Sequence, residues 1–67
     1  MAVDYGGHIY LFEFKVVEQL PDGKALAQLI EKGYAEKYRA SGKPIHLVGV
    51  EFSSEKREIV AFDVLTV

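Results

Sequence analysis

Residues 9–17 read Ile-Tyr-Leu-Phe-Glu-Phe-Lys-Val-Val, an apolar run with no turn residue and only two charges in it. Aromatic, aliphatic and β-branched residues in such a run predict a strand. Strand side chains alternate between faces, so Glu13 and Lys15 share a face with Ile9 and Leu11, while Phe12, Phe14 and Val16 take the other. The period then changes. Leu26, Leu29, Ile30, Gly33, Tyr34 and Tyr38 recur at three- and four-residue spacing, which predicts one helix over residues 24–40 with a single apolar stripe. Lys24, Gln28, Glu31, Lys32, Glu36 and Arg39 fall mainly on its remaining surface, with Lys32 and Glu36 spaced to support each other. Gly33 lowers helix propensity, so its presence predicts close packing against a sheet. In the loop before the helix, Pro21 ends the strand and Asp22 suits the helix cap. Gly42 and Pro44 stop the helix.

Residues 45–52 and 58–67 form two further apolar runs, joined by residues 53–57, a connection short enough for an antiparallel hairpin. Residues 1–4 suit a short strand, with Asp4, Gly6 and Gly7 supplying turn chemistry before residue 8. The principal order is β-α-β-β. A strand–helix–strand unit in one sheet is nearly always a parallel crossover, so residues 9–17 should lie parallel to 45–52, with 58–67 antiparallel at an edge. The fold class is α/β, with a mixed sheet and one crossover helix.

At 67 residues the chain makes one domain, and 49% hydrophobic with 27% charged residues is a globular composition. A single core is marginal at this size, and chains this short often lean on disulfides, metal or association. With no cysteine there is neither a disulfide nor a thiolate site, and the two histidines, His8 and His46, lack ligand-like spacing. Association into a homo-oligomer, a dimer first of all, is the remaining supplement. A net charge of −2 argues against binding nucleic acid by overall electrostatics. No apolar run approaches the roughly 20 residues of a membrane span and no signal peptide is visible, so a cytoplasmic location is expected.

A strand carboxylate can hold a hard divalent cation, with backbone carbonyl and water filling the shell. A lysine one pleat along can steady a metal-bound water or charge developing on a phosphate. Glu13 and Lys15 have that spacing, with magnesium as the expected ion. By spacing alone the competing reading is stronger: a cross-strand ion pair on a solvated sheet face, which contributes under about 1 kcal/mol.

The resemblance of longer stretches shifts that balance. Residues 9–15, the segment Lys-Gly-Tyr-Ala-Glu-Lys-Tyr at 32–38 and the segment Gly-Val-Glu-Phe-Ser-Ser-Glu-Lys-Arg at 49–57 resemble the C-terminal nuclease-like domain of bacterial and archaeal AAA-ATPase-like proteins, within the PD-(D/E)XK nuclease superfamily. The likeness covers roughly residues 9–65. It implies a restriction-endonuclease-like α/β core with the Glu-x-Lys strand central, and a metal-dependent phosphodiesterase ancestry with nucleic acid as substrate. Glu13 and Lys15 match the family's motif as catalytic residues, with Glu13 also a metal ligand. The family's second ligand is an aspartate on the preceding hairpin strand, and Asp4 is the only upstream acid. By this reading the family's aspartate falls near or before Met1. The chain is thus expected to correspond to the C-terminal part of such a domain, truncated and inactive by itself.

Gln28 and Tyr34 resemble helix residues that some superfamily members place near the active site. Gln28 nonetheless reads as a surface residue, and Tyr34 and Tyr38 as core. Lys32, Lys37, Arg39 and Lys43 could meet phosphates, but Glu31 and Glu36 dilute them into a solvated face. His46 reads as a half-buried residue without a partner. Two function classes follow: a metal-dependent nuclease, or an assembly module that keeps the fold and has lost the reaction.

Overall fold

A computed structural model describes residues 1–67 as a four-stranded sheet whose strands lie side by side in sequence order. The strands are β1 (Ala2–Tyr5), β2 (His8–Val17), β3 (Ile45–Ser53) and β4 (Glu58–Thr66). Between β2 and β3 the chain forms α1 (Lys24–Lys32), α2 (Tyr34–Tyr38) and a turn of 3-10 helix over Arg39–Ser41. β2 and β3 pair in parallel from Ile9 with Ile45 to Val17 with Ser53, and β4 runs antiparallel to β3. The α/β class, the parallel crossover and the antiparallel edge strand are those the apolar pattern predicts. No helix is long and apolar enough to cross a membrane.

β1 pairs antiparallel with β2, with Ala2 across from Leu11 and Tyr5 across from His8. The turn between them is made by Gly6 and Gly7, at φ 61° and 81°, a region that glycine enters without steric cost. Asp4 is therefore a strand residue facing Ile9, not part of the turn.

The helices cover one face of the sheet. Ile9, Leu11, Ile45 and Leu47 project from the two central strands onto Leu29 of α1, with Leu26, Ala35 and Tyr38 packed around them. Close approach occurs at Gly49, where an added Cβ would stand 2.5 Å from the Leu26 amide nitrogen. Gly33, expected to make such a contact inside one long helix, does something else. It sits at φ 67°, closes α1 by donating its N–H to the Ile30 carbonyl, and has open space where a Cβ would go. A left-handed residue cannot continue a right-handed helix, so the expected helix over 24–40 divides there. The division also undoes the Lys32–Glu36 pair: Lys32 reaches Glu13, and Glu36 pairs with Arg39.

The other face carries no helix. Phe14, Val16, Phe52, Phe62 and Val64 lie exposed on it, Phe14 and Phe62 at 62% and 63%. A register shift between Glu51 and Phe52 sets Ile59 across from Phe52 and Ala61 across from Glu51. Strict alternation would give Ile59 and Ala61 one face. The bulge moves Ile59 to the open side instead.

Candidate functional site

β2 delivers Glu13 and Lys15 to the helix-covered face, each partly screened, with side chains 21% and 27% exposed. The two do not pair with each other. The Lys32 ammonium stands 3.5 Å from the Glu13 carboxylate, and Lys15 Nζ lies 2.9 Å from Asp22 Oδ2. The ion pair on a solvated sheet face is therefore not what forms. Glu13 opens into a cavity of about 210 Å³ beside Met1, Ala2, Tyr34, Lys37 and Tyr38. Lys15 opens into a different hollow at the far end of β2, with Glu18, Gln19 and Asp22.

Asp22 is the pivot of the Lys15 end. Its Oδ1 accepts the Lys24 N–H at 3.0 Å, so it satisfies an orphan donor of the helix start, although Gly23 holds the cap position. The hydrogen bond from Lys15 and then that from Lys24 hold the Asp22 carboxyl below its ordinary value of 3.8, against a smaller opposing effect of desolvation. The backbone N–H of Asp22 donates to Oε1 of Glu51 at 2.7 Å. Glu51 faces Lys15 across the β2–β3 ladder, is fully buried, and leaves Oε2 without a hydrogen-bond partner. Sequence reasoning passed over Glu51. The signal was there: an acid inside the run Leu-Val-Gly-Val-Glu-Phe, open to the same argument as Glu13.

The structure does not bring Asp4 to Glu13. Asp4 faces Ile9, four residues along β2 from Glu13, or roughly 13 Å at the rise of a strand. Its carboxylate takes the Lys43 ammonium at 2.7 Å. The β1 ladder ends where the Met1 carbonyl accepts the Phe12 N–H at 2.8 Å, so no residue of β1 stands across from Glu13. No three His, Asp or Glu side chains are grouped to hold a metal ion. Magnesium usually leans on one or two carboxylates plus substrate phosphates. Glu13 is the single carboxylate here and already carries Lys32. A single carboxylate would leave magnesium dependent on substrate phosphates or on a second acid, and no second acid lines the Glu13 cavity.

The helix residues also divide. Tyr34 lines the Glu13 cavity, its ring 5.7 Å from the Lys32 ammonium, and Gln28 is half-buried rather than on the open surface. Of the basic residues near the helix ends, Lys32, Arg39 and Lys43 are each taken by an acid, and Lys37 borders the Glu13 cavity. His46 does have partners. Its Nε2 lies 2.9 Å from His8 Nδ1 and its Nδ1 2.8 Å from Thr66 Oγ1.

A parallel β2–β3 pair bridged by helices, with Glu-x-Lys on the covered face of a central strand, defines a small nuclease-like α/β core. Comparison with known proteins gives the same class. The chain matches the family model of the PD-(D/E)XK nuclease superfamily over residues 1–62, and it belongs to that superfamily. Nucleases of this superfamily typically use a divalent metal. A relative from Azotobacter chroococcum mcd 1, described as "Uncharacterized protein in vnfD 5'region", is 64% identical over 62 residues. The match takes in 92% of this chain and 12% of that protein, so the chain spans about an eighth of the relative's length. No solved structure matches.

Proposed function

We propose that this chain is a nuclease-like domain of metal-dependent phosphodiesterase ancestry, with nucleic acid as the ancestral substrate, and that alone it does not hydrolyse phosphodiesters. The observation that carries this is the isolation of Glu13: no β1 residue stands across from it, and Lys32 occupies its carboxylate. Lys15 has the position to steady a phosphate or a metal-bound water, yet it is tied to Asp22 and opens into a separate hollow. Magnesium, the ion implied by the family, would need a second acid from outside these residues. The likeness to the C-terminal domains of AAA-ATPase-like proteins, with the greater length of the relative, supports placing the domain within a longer protein of that kind. The test is an assay with magnesium or manganese on a panel of single- and double-stranded DNA and RNA, beside Glu13→Ala. The expected result is no cleavage above the Glu13→Ala background. Metal-dependent cleavage lost in both Glu13→Ala and Lys15→Ala would overturn it.

A second reading, that the domain serves assembly, is favoured by the uncovered sheet face. Phe14, Val16, Phe52, Ile59, Phe62 and Val64 lie exposed on it. A homodimer through that face would leave both copies of Glu13 on the outer, helix-covered sides, so pairing there does not complete a metal site.

A further inference from the structure

The contact between His8 and His46 has no part in the nuclease-like site, and it lies on the opposite side of the sheet. His46 stands in register with Tyr10 and Thr66, positions that alternate away from the helix-covered face. His8 precedes Tyr10 by one pleat on that same face. The ring nitrogens Nδ1 of His8 and Nε2 of His46 converge to 2.9 Å, while the rings lie nearly parallel with centroids 5.1 Å apart. Tyr10 stacks on His46 at 5.0 Å and fixes its plane. On the far edge of the His46 ring, Nδ1 meets Thr66 Oγ1 at 2.8 Å.

We propose that His8 and His46 form a two-nitrogen site for a borderline transition-metal ion, Zn²⁺, Ni²⁺ or Cu²⁺, on the open face of the sheet. Imidazole nitrogen suits these ions, whereas magnesium requires oxygen donors. Zinc–nitrogen bonds of about 2.0–2.1 Å in a tetrahedral site put two donors about 3.3 Å apart, so the nitrogens need part by only a few tenths of an ångström, while both rings must turn so that lone-pair axes now aimed at each other converge on the ion. The contact to Thr66 is the kind of outer hydrogen bond that orients a metal-bound histidine. With Nδ1–H of His46 donating to Thr66 Oγ1, the Nε2 lone pair is left facing His8. In the metal-free pair His8 Nδ1–H donates to that lone pair. On binding, His8 carries its proton on Nε2 instead, so both imidazoles stay neutral and no proton is released. Water fills the remaining positions.

The experiment is calorimetric titration of the untagged chain with ZnCl₂ at pH 7.5, followed by ring-proton NMR of the same sample. One zinc ion per chain is expected, with the signal lost in His8→Gln and in His46→Gln and weakened in Thr66→Val, and with magnesium giving none. The NMR titration keeps the test decisive if a variant fails to fold: zinc must shift the ring protons of both His8 and His46 in the unaltered chain. Absence of binding at millimolar zinc would overturn the site. So would zinc binding that leaves the ring protons of both histidines unshifted, or unchanged binding in a folded histidine variant.

Discussion

Lys15 is held by Asp22, 2.9 Å from Nζ to Oδ2, and not by its neighbour on the strand face, Glu13. The consequence for stability has a definite sign. The Asp22 carboxyl is held below its ordinary value of 3.8, chiefly by the hydrogen bond from Lys15. A carboxyl whose folded value is depressed contributes stability that is full above the unfolded value and is lost as pH falls through the folded one. The expected outcome is a decline in stability as pH drops below about 4, to which Asp22 contributes, and a shallower decline in Lys15→Met. Carboxyl ¹³C NMR should place the Asp22 midpoint under 3.8 in the unaltered chain and move it upward in Lys15→Met. A midpoint unmoved by Lys15→Met would show that the lysine is not its cause.

Gly49 should not tolerate a side chain. A Cβ there would fall 2.5 Å from the Leu26 amide nitrogen and 2.8 Å from its Cα, both backbone atoms that move only if α1 moves. Overpacking of this kind costs about 1–3 kcal/mol, so urea unfolding of Gly49→Ala should show a loss in that range. Gly33→Ala meets no atom within 4 Å and is penalised instead by its φ of 67°, at about 1–2 kcal/mol. The two substitutions separate by temperament: Gly49→Ala should also shift the amide resonances of α1 along its first turns, and Gly33→Ala should leave them in place.

Glu51 offers a cleaner dissection than its burial suggests. Oε1 holds the Asp22 N–H at 2.7 Å, and Oε2 has no partner. Glu51→Gln keeps the first contact and replaces the unpartnered oxygen, so unfolding should register a change under about 1 kcal/mol in either direction. Glu51→Ala removes the acceptor of this part-buried contact, a loss of about 0.5–1.5 kcal/mol before any cavity is counted. Equal losses in the two variants would mean that the Asp22 contact is not what Glu51 contributes.

What could be read from the sequence was what rests on local periodicity. Alternation alone put Glu13 and Lys15 on the side of Ile9 and Leu11, and the β-α-β order was enough for the parallel pairing of β2 with β3. The features that escaped depend on choices periodicity does not encode. Gly33 and Gly49 look alike in sequence, yet one ends a helix at positive φ and the other receives it. The bulge beside Phe52 changes the face of Ile59 without leaving a mark in the residue pattern. His8 and His46 meet only because β2 and β3 are adjacent in the sheet, a contact across 38 positions of chain that no spacing rule contains. The family motif likewise located Glu13 and Lys15 but not the partners they take, because Lys32 and Asp22 come from the helix and loop that cross over the strand.

Association is the last expected outcome, and the exposed sheet face is its ground. The open side of β2 presents Phe14 and Val16 beside half-buried Phe12, and those of β3 and β4 add Phe52, Ile59, Phe62 and Val64 around the buried Val48 and Val50, without a charged residue among them. Monomeric proteins seldom leave a contiguous apolar patch above a few hundred Å² uncovered. A face free of charge can also meet its own copy without opposing like charges, which suits the two-fold pairing commonest among homo-oligomers. Sheets stacked in this way sit about 10 Å apart, close enough for Phe14 and Phe62 of each copy to bury against the other. Folding and pairing would then be linked, so the melting temperature should rise with protomer concentration. Sedimentation at micromolar concentration should give a dimer. Phe62→Lys, at a position 63% exposed within one chain, should shift it to monomer without disturbing the Ile9–Leu29–Leu47 core. A folded wild-type monomer with a concentration-independent melting temperature would remove this face as the contact between copies.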